Sequence, residues 1–368
     1  MGASRLHRLA EYGQSVWIDF LSRDLIRNGE LERRMREDAV VGVTSNPTIF
    51  QKAISSGAAY DEQLREVLEV ERDPKEIFLR LAIKDVEDAL DLLRPVWDEG
   101  SGQDGYISLE VDPNLASDTA GTIEEAQRLH ETIDRPNLFV KIPATEAGLP
   151  AIEEMIARGR SINVTLIFSL ERYAEVAEAF MRGLERLVEA GGDPGRVASV
   201  ASFFVSRVDT ETDRRLDEMG GRDELKGKLA IANAKLAYQR YKEIFAGNRW
   251  EALSSRGATT QRCLWASTST KNPAYRDVMY VEELIGPKTV NTMPEETIEA
   301  FQDHGEVAPT LEQGIDEAER VFEQIRQAGV DYEDVTDTLE REGVQKFADS
   351  FAELLEGIRA KSGELAAA

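Results

Sequence analysis

"LFVKIPAT" (residues 138–145) sets a charged residue in the middle of an apolar run. Leu138, Phe139, Val140 and Ile142, closed by Pro143, have the length and composition of a strand buried on both faces, as in a parallel sheet. Side chains alternate along a strand, so Lys141 shares a face with Phe139 and Pro143 and points inward. Burying an ammonium without a partner is costly. Burial favours the neutral amine, and a neutral amine on a rigid strand is a nucleophile for carbonyl carbon. Two plainer readings compete: an edge strand with Lys141 facing water, or a buried Lys–Glu pair.

Seven further runs of strand length flank this one: "SVWIDF" (15–20), "AVVGVTSN" (39–46), "GYISLEVD" (105–112), "SINVTLIFS" (161–169), "VASVASFFVSRVD" (197–209), "RCLWAST" (262–268) and "KTVNTMP" (288–294). Amphipathic segments lie between them. In 122–134, Ile123, Ala126, Leu129 and Ile133 form one apolar stripe. The segment 170–191 ends at Gly191-Gly192, a helix stop. Helices are also expected at 1–12, 61–72, 74–93, 222–246, 311–328 and 334–360, and the tail "SGELAAA" reads as frayed. Strand and helix alternating eight times predict an α/β fold, a (β/α)8 barrel. Extra helices are expected at the N-terminus, between strands two and three, and at the C-terminus. An open doubly wound sheet is the alternative, but the chain has no Gly-x-Gly-x-x-Gly fingerprint. No linker or low-complexity segment divides the chain, so residues 1–368 read as one domain, with the helices of 311–360 packed on the barrel.

The chain has 368 residues, 42% of them hydrophobic, and a formal net charge of -25. That charge argues against nucleic acid or an anionic membrane surface as partner, though a local basic cluster could still bind a small anion. A single cysteine, Cys263, permits no internal disulfide and fits a reducing cytosol. No stretch reads as a signal peptide or approaches the ~18 apolar residues of a membrane span. His7, His130 and His304 have no metal-ligand spacing. A cytoplasmic protein, monomeric or homodimeric, is expected.

In such barrels chemistry gathers where the strands end. The strand ends here are polar. Strand one carries Asp19, strand two ends at Thr44 and Asn46, and strand three carries Glu110. Lys141 is on strand four, Asn163 and Thr165 are on strand five, and Ser202, Phe204 and then Arg207 are on strand six. Strand seven runs into Ser267, Ser269 and Lys271. Residues two apart share a face, so these side chains can meet near the barrel axis. A carboxylate beside an amine can relay protons while a carbinolamine loses water. Asn46-Pro47 also suits a helix N-cap followed by Pro in the first turn.

The segments "GVTSNPTIF" (42–50), "EVDP" (110–113), "VKIPAT" (140–145), "INVTLIFS" (162–169) and "SFFVSRVD" (202–209), in this order, resemble the transaldolases, in particular a long actinobacterial form. The resemblance implies a Schiff-base transferase of the non-oxidative pentose phosphate pathway with no metal or organic cofactor and with phosphorylated sugars as partners. It would move a dihydroxyacetone unit from sedoheptulose 7-phosphate to glyceraldehyde 3-phosphate, giving erythrose 4-phosphate and fructose 6-phosphate. Carried over residue by residue, Lys141 is the Schiff-base lysine. Glu110 is an acid/base working through a water held with Thr165, and Asp19 is the acid/base at the cleaved bond. Thr44, Asn46, Asn163 and Ser202 hold the three-carbon unit, and Arg207 holds phosphate. Ser269 and Lys271 align with a Ser-Phe-Arg phosphate segment, with Ser267 as an alternative to Ser269. Phe203 and Ser206 stand where other branches carry Pro and Gly. Sister enzymes, the fructose 6-phosphate aldolases, carry tyrosine where this chain has Phe204, so Phe204 favours transfer over release. A lyase of that kind and a non-catalytic sugar-phosphate binder are the competing readings.

Overall fold

The computed structural model describes residues 4–55, 58–220 and 222–367. Eight parallel strands close into a barrel in sequence order. They are β1 (Gln14–Ile18), β2 (Val40–Thr44), β3 (Tyr106–Glu110), β4 (Leu138–Pro143), β5 (Ile162–Ile167), β6 (Ser199–Phe204), β7 (Arg262–Ala266) and β8 (Thr289–Met293). Seven fall within the runs expected from the sequence, and β1 begins one residue before its run, at Gln14. β4 pairs with β3 on one side and β5 on the other, so the edge-strand reading of Lys141 fails.

The sixth run is shorter than its apolar composition suggests. β6 stops at Phe204, and a helix Ser206–Glu218 follows at once, so Arg207 sits in that helix's first turn rather than on a strand. Asp19 likewise lies one residue past β1. The helix expected over 222–246 is split into a short turn Asp223–Leu225 and a helix Leu229–Ile244. Gly227 between them has φ +69, a left-handed backbone that interrupts a right-handed helix. The helix expected to end at 93 continues to Glu99 through the exposed Pro95. The helix expected over 61–72 ends at Leu68. The helix expected over 311–328 spans Ile315–Gln327, and the first helix is described as Arg5–Glu11, residues 1–3 lying outside the described residues.

Inside the barrel, large and small side chains interlock beneath the polar strand ends. Trp17 lies against Gly42 so closely that a Cβ there would come within 2.5 Å of the indole. Tyr106 and Phe139 stack with ring centroids 4.0 Å apart, and Trp17 tilts over Phe139 at 6.1 Å. These aromatic rings form a floor one layer below Lys141. At the opposite, N-terminal mouth lies a cavity of about 830 Å³. There Asp104 accepts from Arg262, Ser15 and the Trp17 indole at 2.7–3.0 Å, a fully paired plug. Pairing at this end of a barrel serves stability.

The C-terminal helix Tyr332–Ala367 crosses the other mouth and packs on helices Pro47–Ser55, Asp61–Leu68, Pro74–Glu99 and Ser206–Glu218. Val335, Leu339, Phe347, Phe351, Leu354 and Ile358, three, four or eight residues apart, form its buried stripe. The helix continues through the tail that reads as frayed in the sequence, as far as Ala367. No helix among the described residues is long and apolar enough to cross a membrane.

Candidate active site

The C-terminal ends of the strands surround a cavity of about 300 Å³. Its wall includes Asp19, Thr44, Asn46, Lys141, Thr165, Ser202, Phe204, Arg207, Ser267, Ser269 and Lys271, eleven of the thirteen residues singled out in the sequence. Glu110 and Asn163 stand just behind this wall.

Lys141 is 4% exposed. Its Nζ donates to the Ser45 carbonyl at 3.0 Å and lies 3.4 Å from Glu110 Oε2. The buried Lys–Glu pair is therefore real, and it opens onto a cavity. The register explains it: Glu110 and Lys141 are Cα partners across β3 and β4, and Lys141 pairs with Asn163 across β4 and β5. Burial raises the Glu110 pKa, with Lys141 opposing. Burial also raises that of Asp19, opposed first by Lys141 and then by a hydrogen bond from Thr44 Oγ1 at 2.7 Å. Both carboxyls thus bind protons more readily than free ones, as acid/base groups must.

Asn163 does not reach the cavity. Its Nδ2 donates to Ser108 Oγ at 3.0 Å and its Oδ1 accepts from Ser202 at 2.7 Å, so it braces Ser202 from behind. Glu110 Oε2 and Thr165 Oγ1 are buried and have no hydrogen-bond partner among the described residues. Just after Thr165, Leu166 has φ +60 and the β5–β6 register slips, which turns the strand end aside. Asn46 Oδ1 accepts from the Ile49 N–H, so the N-cap reading holds while Asn46 also lines the cavity.

After β7, Ser267 takes φ +56 and its Oγ pairs with Ser206 Oγ at 2.9 Å. Ser269 Oγ accepts from Lys271 at 2.6 Å. Phe203, the other departure in strand six, faces outward against Trp265 and Tyr173. Arg207 stacks over Phe204, Cζ 5.0 Å from the ring centroid, and makes no hydrogen bond or ion pair among the described residues.

Several wall residues escaped the sequence reading, Glu296 among them. Lys346 and Phe347 come from the C-terminal helix, and Lys52 comes from the helix after β2. Phe347 is 4% exposed, with its ring centroid 6.0 Å from Lys141 Nζ. Their signal was absent because strand-end reasoning does not look at helices outside the barrel.

A buried lysine–carboxylate pair at the top of a closed parallel barrel, opening onto a cationic cavity, suits imine chemistry on an anionic carbonyl compound. Residues 16–358 match the model of the transaldolase/fructose-6-phosphate aldolase family. The chain belongs to that family. A transaldolase of Frankia alni is 53% identical over 361 residues, 97% of each chain. Transaldolase 2 of Streptomyces coelicolor is 51% identical over 365 residues, 98% of each. A transaldolase of Mycolicibacterium paratuberculosis is 50% identical over 362 residues, 97% of each. The match to these transaldolases runs the length of the chain and so includes the C-terminal helix that roofs the cavity.

Proposed function

We propose that the protein is a transaldolase, a Schiff-base transferase of the non-oxidative pentose phosphate pathway. The observation that carries this reading is Lys141, buried beside Glu110 and opening onto a cavity that also holds Asp19 and Arg207. Lys141 Nζ attacks the ketone carbon of sedoheptulose 7-phosphate. Glu110, through a water held with Thr165, moves the protons by which the carbinolamine loses water to become an imine. Asp19 takes the proton of the C4 hydroxyl, two carbons from the imine carbon, the C3–C4 bond breaks as that hydroxyl becomes an aldehyde, and erythrose 4-phosphate leaves. The bonding electrons remain as an enamine on Lys141, steadied by Asn46 and by Ser202, which Asn163 holds in place. The enamine adds to glyceraldehyde 3-phosphate with return of the proton from Asp19. Hydrolysis of the imine then frees fructose 6-phosphate. Arg207, Ser269 and Lys271 hold the phosphates. A cytoplasmic location fits phosphorylated sugars as substrates.

The test is to incubate the protein with fructose 6-phosphate, reduce with borohydride and locate the adduct by mass spectrometry. A three-carbon adduct on Lys141 is expected. Its absence from folded protein would overturn the reading.

A further inference from the structure

The C-terminal helix contributes charge as well as cover. Five cationic side chains, Lys52, Lys141, Arg207, Lys271 and Lys346, line the cavity, against two carboxylates in its wall, Asp19 and Glu296. This occurs in a chain whose net charge is -25. Elsewhere on the surface, arginines and lysines are mostly tied to Asp or Glu, as Arg249 is to Glu178 and Glu185. Lys346 makes no ion pair and no hydrogen bond among the described residues, although Glu342 stands one helical turn before it. Its strongest electrostatic neighbour is another cation, Arg207, which lowers the Lys346 pKa. Lys271 is lowered mainly by burial, with Glu296 opposing and Arg207 and Lys346 adding to the effect.

Like charges brought together without a counter-charge repel. The fold nevertheless holds Lys346 in place. Gly343, one turn earlier, packs so tightly on Leu166 that a Cβ would lie 3.0 Å from Leu166 Cδ2 and 3.6 Å from the Arg207 guanidinium. One turn later, Ser350 Oγ accepts from Thr48 Oγ1 at 2.8 Å. The segment 343–350 is thus fixed at both ends over the cavity, with Lys346 between. An anion placed among Arg207, Lys271 and Lys346 relieves the repulsion of all three.

We infer that Lys346 binds the phosphate monoester of the sugar substrates, completing from outside the barrel an anion site begun by Arg207 and Lys271. The inference rests on the transaldolase reading and adds to it a specificity residue. Lys346 supplies a point charge where Arg207 supplies a planar fork. Its removal weakens phosphate holding without touching the imine chemistry at Lys141.

The test compares the wild type with Lys346→Ala and Lys346→Arg, using glyceraldehyde 3-phosphate and unphosphorylated glyceraldehyde as acceptors. Lys346→Ala is expected to raise KM for the phosphorylated acceptor about tenfold, with kcat little changed, as for loss of one charge-assisted hydrogen bond. The unphosphorylated acceptor should respond equally to both proteins, and Lys346→Arg should recover most of the loss. Inhibition by inorganic phosphate should weaken in parallel in Lys346→Ala. An unchanged KM for glyceraldehyde 3-phosphate overturns the inference, as does an equal loss with both acceptors. A wild type that forms the Lys141 adduct but shows neither difference refutes the role of Lys346 alone. A wild type that forms no adduct refutes the transaldolase reading instead.

Discussion

Lys141 Nζ stands 3.4 Å from Glu110 Oε2, close enough for an ion pair, while its hydrogen bond goes to the Ser45 carbonyl. Glu110 therefore keeps an acceptor oxygen free for a proton in transit. Replacement by glutamine preserves shape and removes that capacity. Glu110→Gln should lower kcat by roughly 10²–10⁴-fold. Borohydride trapping at Lys141 should slow with it, while the melting temperature holds or rises, because burial already favours the neutral form of this carboxyl. Trapping at the wild-type rate would remove Glu110 from imine formation.

Phe204, 7% exposed, presents an apolar ring to the cavity beside Phe168, with centroids 5.3 Å apart. Phe204→Tyr adds a hydroxyl that can position water at the enamine or imine. Free dihydroxyacetone released from fructose 6-phosphate without acceptor should rise severalfold relative to transfer. An unchanged ratio of release to transfer would make Phe204 simple packing.

Phe347 closes the cavity from above. Phe347→Ala should cost about 3 kcal/mol of stability, the low end for a buried Phe because one face of the ring borders the cavity. It should also raise release over transfer, since water gains access to the adduct. Phe347→Leu, which keeps an apolar cover, should restore the ratio. If the alanine variant loses stability but keeps the wild-type ratio, Phe347 serves packing alone.

Asp209 is buried on the helix that begins with Arg207's turn. It accepts from the Ala230 N–H and the Tyr280 hydroxyl, both at 2.8 Å. Burial pushes its pKa up from 3.8 to about 7. The folded state thus holds a proton that the unfolded chain gives up, so stability should fall as pH rises from about 4 to about 7. The fall has an upper bound on the order of 4 kcal/mol. Asp209→Asn keeps an acceptor for Ala230 and should flatten this part of the profile. Chemical denaturation of both proteins at several pH values tests it, and parallel profiles would refute it.

Much of the barrel was legible because β-strands buried on both faces read as continuous apolar runs, and each polar break in such a run had to mean something. Lys141, Glu110, Thr44, Thr165 and Ser202 were visible for that reason. Arg207 was found, but on the wrong element: "SFFVSRVD" carries no helix signal strong enough to end an apolar run, and Val205 to Ser206 turns into the helix through backbone bonds to Ala266 and Ser267. Asn163 was placed correctly on its strand but one layer too high. Its amide serves Ser108 and Ser202, a choice of partners that only the three-dimensional register fixes. Lys346 and Phe347 were invisible because about two hundred residues and a tertiary contact separate them from Lys141.

That separation has a consequence for synthesis. The segment 343–350 leaves the ribosome only after all eight strands, and domains form as the chain emerges. Without that segment the mouth has Lys52, Lys141, Arg207 and Lys271 but neither Lys346 nor the apolar shield that Phe347 provides. Until the last helix docks between Gly343 and Ser350, the mouth above Lys141 lacks its apolar cover.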